Sequence, residues 1–440
     1  MHSSIKTLVA AGIILSAQAH PSFWDMTPEE VRMGINQRIM AIDATAQAVG
    51  SVENKELKVG DRTTPIRIYS PIQGDDFPVI LLIHGGAWVA GNLDTHDNLA
   101  RYLCSKTPAI VVSVGYLNPP EGKFPLPLEQ CYDALTWIDG NRGEISSTHS
   151  GLVVAGDSAG GNMAAALCLM ARDRSGPSID LQVLINPAPD LTCNGTLLQQ
   201  GDALDNLRWQ ASQYLTDPQD ANNSYVSPLK ASNLSNLPPA LILVAEQDGL
   251  RVAGEQFGAR LQSAGVAAQI YCQKGIPHLA GDGARASAKA EESLNVAIDT
   301  IQNVFSQVDT QMAKHMSNTI INTANQYLNV LNNIGNREVA YDAREIVKLC
   351  AHHCKKVRNG KVLFEISASF ADQLIAAKEW LGGWSIRTME LLSIPDPRSA
   401  VIRYELTTEK EGTLIVFVIL KFDEHYRIYE INEVHNKVDS

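Results

Sequence analysis

Five short, almost purely aliphatic runs punctuate the first two-thirds of the chain, at 79–83, 110–114, 152–155, 183–185 and 241–245. A sixth strand candidate covers 267–272. Strands with no polar face are what a parallel sheet covered on both sides requires. Helical patterns such as 160–172 and 254–263 lie between them. From about residue 64 to 305 this alternation predicts an α/β fold with a mainly parallel sheet. The stretch 193–226 is rich in Asn, Asp and Gln but carries Trp209 and Tyr214. It is expected as a helical excursion over the C-terminal edge of that sheet.

The chain has 440 residues, too many for one ordinary domain of about 100–200. After about residue 307 its character changes. Helices are expected over 312–331, 343–354 and 370–381, and strands over 362–367, 384–392, 400–407, 413–422 and 427–434. Ile402, Tyr404 and Leu406 alternate with Arg403, Glu405 and Thr407, the period of a half-buried strand. This order predicts a second, smaller α+β domain over 311–440, behind a catalytic domain over 61–306 and an N-terminal segment over 1–60. No Gly or Pro marks the junction, so a helical linker is expected.

Composition narrows the partners. The formal charge of −12 counts against nucleic acid, whose phosphates need clustered Lys and Arg. No run reaches about 18 apolar residues, so no integral membrane segment is expected. Seven cysteines, an odd number at loose spacing, make no disulfide framework. Cys350-Ala-His-His-Cys354 has metal-ligating residue types but no second pair nearby, so a plain helix and no metal are expected there. The N-terminus reads two ways. Lys6, the apolar run 7–17 and Ala17-Gln18-Ala19 fit a secretory signal peptide over 1–19. The other reading is a retained first helix ended by Pro21, followed by a second opened by the capping box Thr27-Pro28-Glu29-Glu30. The free cysteines lean toward a reducing, cytoplasmic setting and the retained helix, against a secreted or periplasmic one.

The chemistry centres on Gly156-Asp157-Ser158-Ala159-Gly160-Gly161, which follows one aliphatic strand and opens a helix. That is the context of a nucleophile elbow, where glycines permit a sharp turn that holds a serine oxygen in the open. His84-Gly85-Gly86-Ala87-Trp88 follows another strand directly. Its glycines let backbone N–H groups approach a developing oxyanion. Gly85, Gly86 and Ala159 are the expected donors. A serine nucleophile needs a base, and the base an orienting carboxylate, in the chain order Ser, acid, His. Asp248 and His278 each follow a strand end in that order. Glu246, Asp282, His96 and His149 fit it less well.

These motifs, with Ser227-Pro228-Leu229, Leu237-Pro-Pro-Ala-Leu241 and Asp248-Gly-Leu250, resemble the hormone-sensitive-lipase-like α/β-hydrolases over about residues 5–305. The resemblance implies an α/β-hydrolase fold with a helical cap, and a carboxylesterase or lipase acting on short acyl esters. It implies Ser158 as nucleophile, Asp248 as acid, His278 as base, and no cofactor. The family's Asp-Tyr-Arg-Leu-Ala-Pro-Glu is replaced here by Gly115-Tyr-Leu-Asn-Pro-Pro-Glu121, and Gly249 stands where a proline is usual. Trp88, Trp209 and Tyr214 are candidate pocket walls. An acyltransferase with the same three residues, or a silent ligand-binding protein, are the alternatives. The C-terminal block resembles the SnoaL-like, ketosteroid-isomerase-like cone fold, read as a binding or homodimerising appendage. Asp372 and Glu405 are the acids singled out there, with ordinary packing the simpler role for each.

Overall fold

The computed structural model describes residues 22–41, 46–74, 77–145, 151–193, 202–278, 287–336, 342–358, 361–364, 368–381, 384–393, 398–408, 410–423 and 425–437. The signal-peptide or first-helix segment, His149 and Asp282 lie outside these residues. The chain divides into two compact units, Met1–Val308 and Asp309–Ser440.

In the first unit eight strands form one sheet: β1 (Ser51–Val59), β2 (Arg62–Ser70), β3 (Val79–Ile83), β4 (Ile110–Val114), β5 (Leu152–Asp157), β6 (Leu181–Ile185), β7 (Ala240–Ala245) and β8 (Ala268–Gln273). Their spatial order is β1-β2-β4-β3-β5-β6-β7-β8. Pairing is parallel from β4 to β8, and antiparallel where β2 joins β1 and β4. Strands β3 to β7 are buried along their whole length, which is why they read as aliphatic runs. The β1–β2 hairpin begins before the expected start near residue 64. In β1 only Leu57 is buried, so this edge strand carries no apolar periodicity to read.

The helices follow from the same logic. Helix α1 (Pro28–Met40) opens with the expected capping box: Thr27 Oγ1 accepts the Glu30 N–H, and Glu30 accepts the Thr27 N–H. Helices α2 (Asp97–Lys106), α3 (Leu126–Gly140), α4 (Ala159–Asp173) and α6 (Arg251–Ser263) join the strands, and α5 (Asp202–Tyr214) is the helical excursion. Helix α4 follows β5 immediately and is buried from Ala159 through Ala171. Register sets the working edge. Ile83 pairs with Gly156, and Asp157 pairs with Ile185. The turns after β3 and β5 are therefore neighbours, and the segments after β7 and β8 leave the same edge of the sheet, the usual site in open α/β folds.

Helix α7 (Ala288–Gly335) runs through the division at Val308/Asp309. In the first unit its Leu294, Ala297, Ile298, Ile301 and Phe305 join the core on one face of the sheet. In the second unit Ile320, Ala324, Tyr327, Leu331 and Ile334 do the same at helical spacing.

The second unit holds β9 (Cys350–Arg358), β10 (Lys361–Phe364), helix α8 (Ala368–Leu381), β11 (Trp384–Ser393), β12 (Ser399–Thr408), β13 (Gly412–Phe422) and β14 (Ile428–Lys437). Its sheet runs β10-β9-β14-β13-β12-β11, antiparallel except where β14 meets β9. The helix expected over 343–354 is corrected. A 3-10 turn ends at Leu349, and Cys350 begins a strand held by β14. Cys350 and Cys354 are buried in the core of the unit. Among the described residues no cluster of His, Cys, Asp and Glu could hold a metal. Asp372 is exposed. Glu405 pairs with Arg387 at the surface, at 2.7 Å. Among the described residues of this unit the buried acid is Glu433, which accepts from Lys356 at 2.6 Å and from Arg358, Tyr327 and His435 at 3.2 Å. Among the described residues no helix is long and apolar enough to cross a membrane.

Candidate active site

Ser158 sits between β5 and α4 with φ 54° and ψ −117°. This backbone conformation is costly for a residue with a side chain and is typical of functional turns. Close packing enforces it. A Cβ on Gly156 would overlap the Gly160 carbonyl, and one on Gly160 would overlap the backbone of Ile83 and His84. Ser158 N–H donates to Ile185 O at 2.8 Å, which fixes the turn to β6.

His278 Nε2 lies 3.0 Å from Ser158 Oγ, and His278 Nδ1 lies 2.8 Å from Asp248 Oδ2. The other Asp248 oxygen accepts the Leu250 N–H at 3.0 Å. Asp248 is buried, whereas the His278 side chain is 33% exposed. Burial disfavours the imidazolium, but the Asp248 charge, its hydrogen bond and the more distant Asp157 charge outweigh it, so the His278 pKa is raised. A raised pKa suits an imidazole that takes and returns a proton near neutral pH. The structure thus brings together Ser158, Asp248 and His278. The rival acid Glu246 is tied to Lys274 and the Gly275 N–H instead.

The loop after β3 departs from expectation. Gly85 N–H donates to Asp157 Oδ1 at 3.0 Å. It is therefore taken up by a carboxylate, and Gly85 drops out of the expected donor set. The N–H groups of Gly86, Ala87 and Ala159 make no hydrogen bond among the described residues. Gly86, Ala87 and Trp88 all have positive φ, at 128°, 56° and 62°. Ala87 is not among the expected donors, because an alanine at positive φ gives no signal in sequence.

Of the candidate walls, Trp88 and Tyr214 stack on each other at 5.5 Å and are almost completely buried. Trp209 packs with Val31, Val89 and Ala90, and edge-on against Phe23 at 5.3 Å. It joins α1 to the loop after β3. Arg32 on α1 reinforces that junction, donating to Val89 O at 2.9 Å and pairing with Glu121. His84 is no rival base: burial above all, and then the neighbouring His96, push its pKa down to about 3.

A profile of the alpha/beta hydrolase fold matches residues 80–280. An arylesterase of Saccharolobus solfataricus is 35% identical over 256 residues, 57% of this chain and 83% of the relative. The chain belongs to the α/β-hydrolase esterase family. It is similar as well to an ethyl acetate hydrolase of Pseudomonas putida, at 32% identity over 62% of this chain and 89% of that one. Among solved structures, an esterase of Pyrobaculum calidifontis superposes with a TM-score of 0.60 at 34% identity, covering 63% of this chain and 94% of that one. As an α/β-hydrolase esterase, the protein is a carboxylic ester hydrolase.

Proposed function

We propose that the protein hydrolyses short-chain acyl esters by two-step acyl transfer, with Ser158 as nucleophile, His278 as base and Asp248 as the orienting acid. Ser158 Oγ attacks the ester carbonyl while His278 Nε2 takes its proton. The carbonyl oxygen becomes an oxyanion held by the N–H groups of Gly86, Ala87 and Ala159. The intermediate collapses, the alcohol leaves with the proton from His278, and the acyl group stays on Ser158. Water, deprotonated by His278, then releases the acid. Asp248 keeps the proton on Nδ1 and stabilises the imidazolium.

The observation that carries this reading is the continuous relay from Asp248 through both ring nitrogens of His278 to Ser158 Oγ, at 2.8 and 3.0 Å. The ethyl acetate hydrolase among the relatives supports a short acyl group. In the second unit, helix α8 and the second half of α7 share a core with the six-stranded sheet, which supports a SnoaL-like cone serving as a binding or dimerising module. The test of the catalytic reading is Ser158→Ala assayed with p-nitrophenyl acetate. Loss of turnover is expected in a variant with unchanged thermal stability, and wild-type turnover would refute it.

A further inference from the structure

Behind Ser158 lies a second polar group that the relay does not use. Asp157, the last residue of β5, is 1% exposed, and His96, just before α2, is fully buried. Asp157 Oδ1 accepts the Gly85 N–H at 3.0 Å and lies 3.1 Å from His96 Nε2, with Oδ2 at 3.3 Å from the same nitrogen.

The protons can be traced. Thr95 Oγ1 donates to Asn92 O and accepts the Asn92 N–H, both at 2.9 Å. Its remaining lone pair faces His96 Nδ1 at 2.9 Å, so Nδ1 donates to it. Nε2 faces both oxygens of the Asp157 carboxylate, and the Gly85 N–H approaches the same nitrogen at 3.3 Å. The carboxylate is thereby fixed in direction and presents one oxygen to Gly85.

That bond bears on the oxyanion loop. Gly86, Ala87, Trp88 and Gly91 all have positive φ, a run that persists only when its surroundings hold it. Its far end is tied to other elements. Gly91 N–H donates to Asn36 on α1, Gly91 O accepts from Asn118, and Val89 O accepts from Arg32. Its near end is tied at Gly85 to the residue directly preceding the nucleophile. The approach is close enough that a Cβ on Gly85 would overlap Asp157.

We propose that Asp157, held by His96, is a positioning residue that sets the Gly86 and Ala87 N–H groups against Ser158. The inference rests on the acyl-transfer reading above. It predicts a loss confined to the transition state, because substrate binds before the oxyanion exists. Misplacing the donors should then cost kcat and leave KM unchanged.

The test uses the full chain with Ser158→Ala as control, measuring kcat and KM for p-nitrophenyl acetate and inhibition by a trifluoromethyl ketone. The ketone adds Ser158 Oγ at its carbonyl carbon and places an oxyanion on the same donors. Asp157→Ala should lower kcat by about 100-fold, as for loss of one oxyanion donor. KM should stay within about threefold, and ketone affinity should fall in parallel with kcat. Asp157→Asn keeps an oxygen for the Gly85 N–H and should recover kcat to within about tenfold of wild type. His96→Gln should lose about tenfold or more in kcat alone, and less when added to Asp157→Ala, because both act through one bond. If Asp157→Ala does not fold, His96→Gln decides alone by the same criterion. Unchanged kcat in the folded variants, or a loss in KM only, overturns the proposal while an inactive Ser158→Ala leaves the acyl-transfer reading standing. An active Ser158→Ala overturns that reading itself.

Discussion

Replacing Asp248 by Asn tests the relay at its least exposed point. The amide is nearly isosteric, but only one of its ends can accept a hydrogen bond. In the wild type one oxygen accepts from His278 Nδ1 at 2.8 Å and the other accepts the Leu250 N–H at 3.0 Å. The Asn side chain can satisfy only one of these. If its oxygen stays on Leu250, its NH2 faces Nδ1, the ring proton moves to Nε2, and Nε2 can no longer take the Ser158 proton. If the amide flips, the His278 tautomer is correct but two donors meet at Leu250, an unmade buried bond costing about 1–3 kcal/mol. That penalty leaves the competent form reduced by about 5- to 150-fold. Loss of the carboxylate's stabilisation of the imidazolium adds to it, and the comparable substitution in serine proteases costs about 10⁴ in kcat. A kcat loss between about 10² and 10⁴ is therefore expected, with KM little changed. The pH–rate profile supplies a second reading. His278 works as a neutral base, so activity falls as pH drops through its pKa, which Asp248 raises above the ordinary 6.5. Asp248→Asn should move the acid limb to lower pH. In stability the sign is opposite. The raised folded-state pKa contributes fully below the unfolded value and is lost as pH rises through the folded one, so the variant's deficit should be largest in acid. Stopped-flow hydrolysis of p-nitrophenyl acetate from pH 5 to 9 measures the kinetic effects. A variant within tenfold of wild-type kcat, with an unmoved acid limb, refutes the reasoning.

Two further perturbations probe other parts of the chain. Glu433→Gln removes the charge facing Lys356, whose side chain is 3% exposed, and should cost the second unit about 3–5 kcal/mol in urea denaturation. Burial pushes the Glu433 carboxyl up, but Lys356, the His435 hydrogen bond and Arg358 outweigh it and hold its pKa well below the carboxylate range. The wild-type advantage should thus be present above pH about 4.3 and fade as pH falls through the depressed folded value; a deficit that persists unchanged in acid would contradict it. Trp209→Ala empties the contact between α1 and the loop after β3. It should lower stability by about 3–5 kcal/mol and speed limited proteolysis within α1, and an unchanged cleavage rate would show that α1 docks without it.

What could be read from the sequence followed burial. Strands β3 to β7 were legible because a strand buried on both faces has little choice of residue. The placing of Asp248 and His278 beside Ser158 was legible because both follow strand ends at the same edge of the sheet. The edge strand β1 was not, since with Leu57 alone buried its side chains record solvent and not a neighbour. Strand β9 was not, because Cys-Ala-His-His-Cys has no alternation and takes its place from pairing with β14. The oxyanion loop shows a sharper limit. Two adjacent glycines announce that backbone approaches something closely, but they do not say which N–H remains available. At Gly85 that is decided by a carboxylate 72 residues away in the chain. The direction of an amide is thus a tertiary property even inside a motif whose letters are plain. An acceptor beside such a glycine pair takes up its first N–H, as Asp157 does at Gly85, and leaves the next residue, here Ala87, as the candidate donor. Where the elbow carries an acid just before its serine, the residue after the glycine pair is accordingly the one to examine for the missing donor.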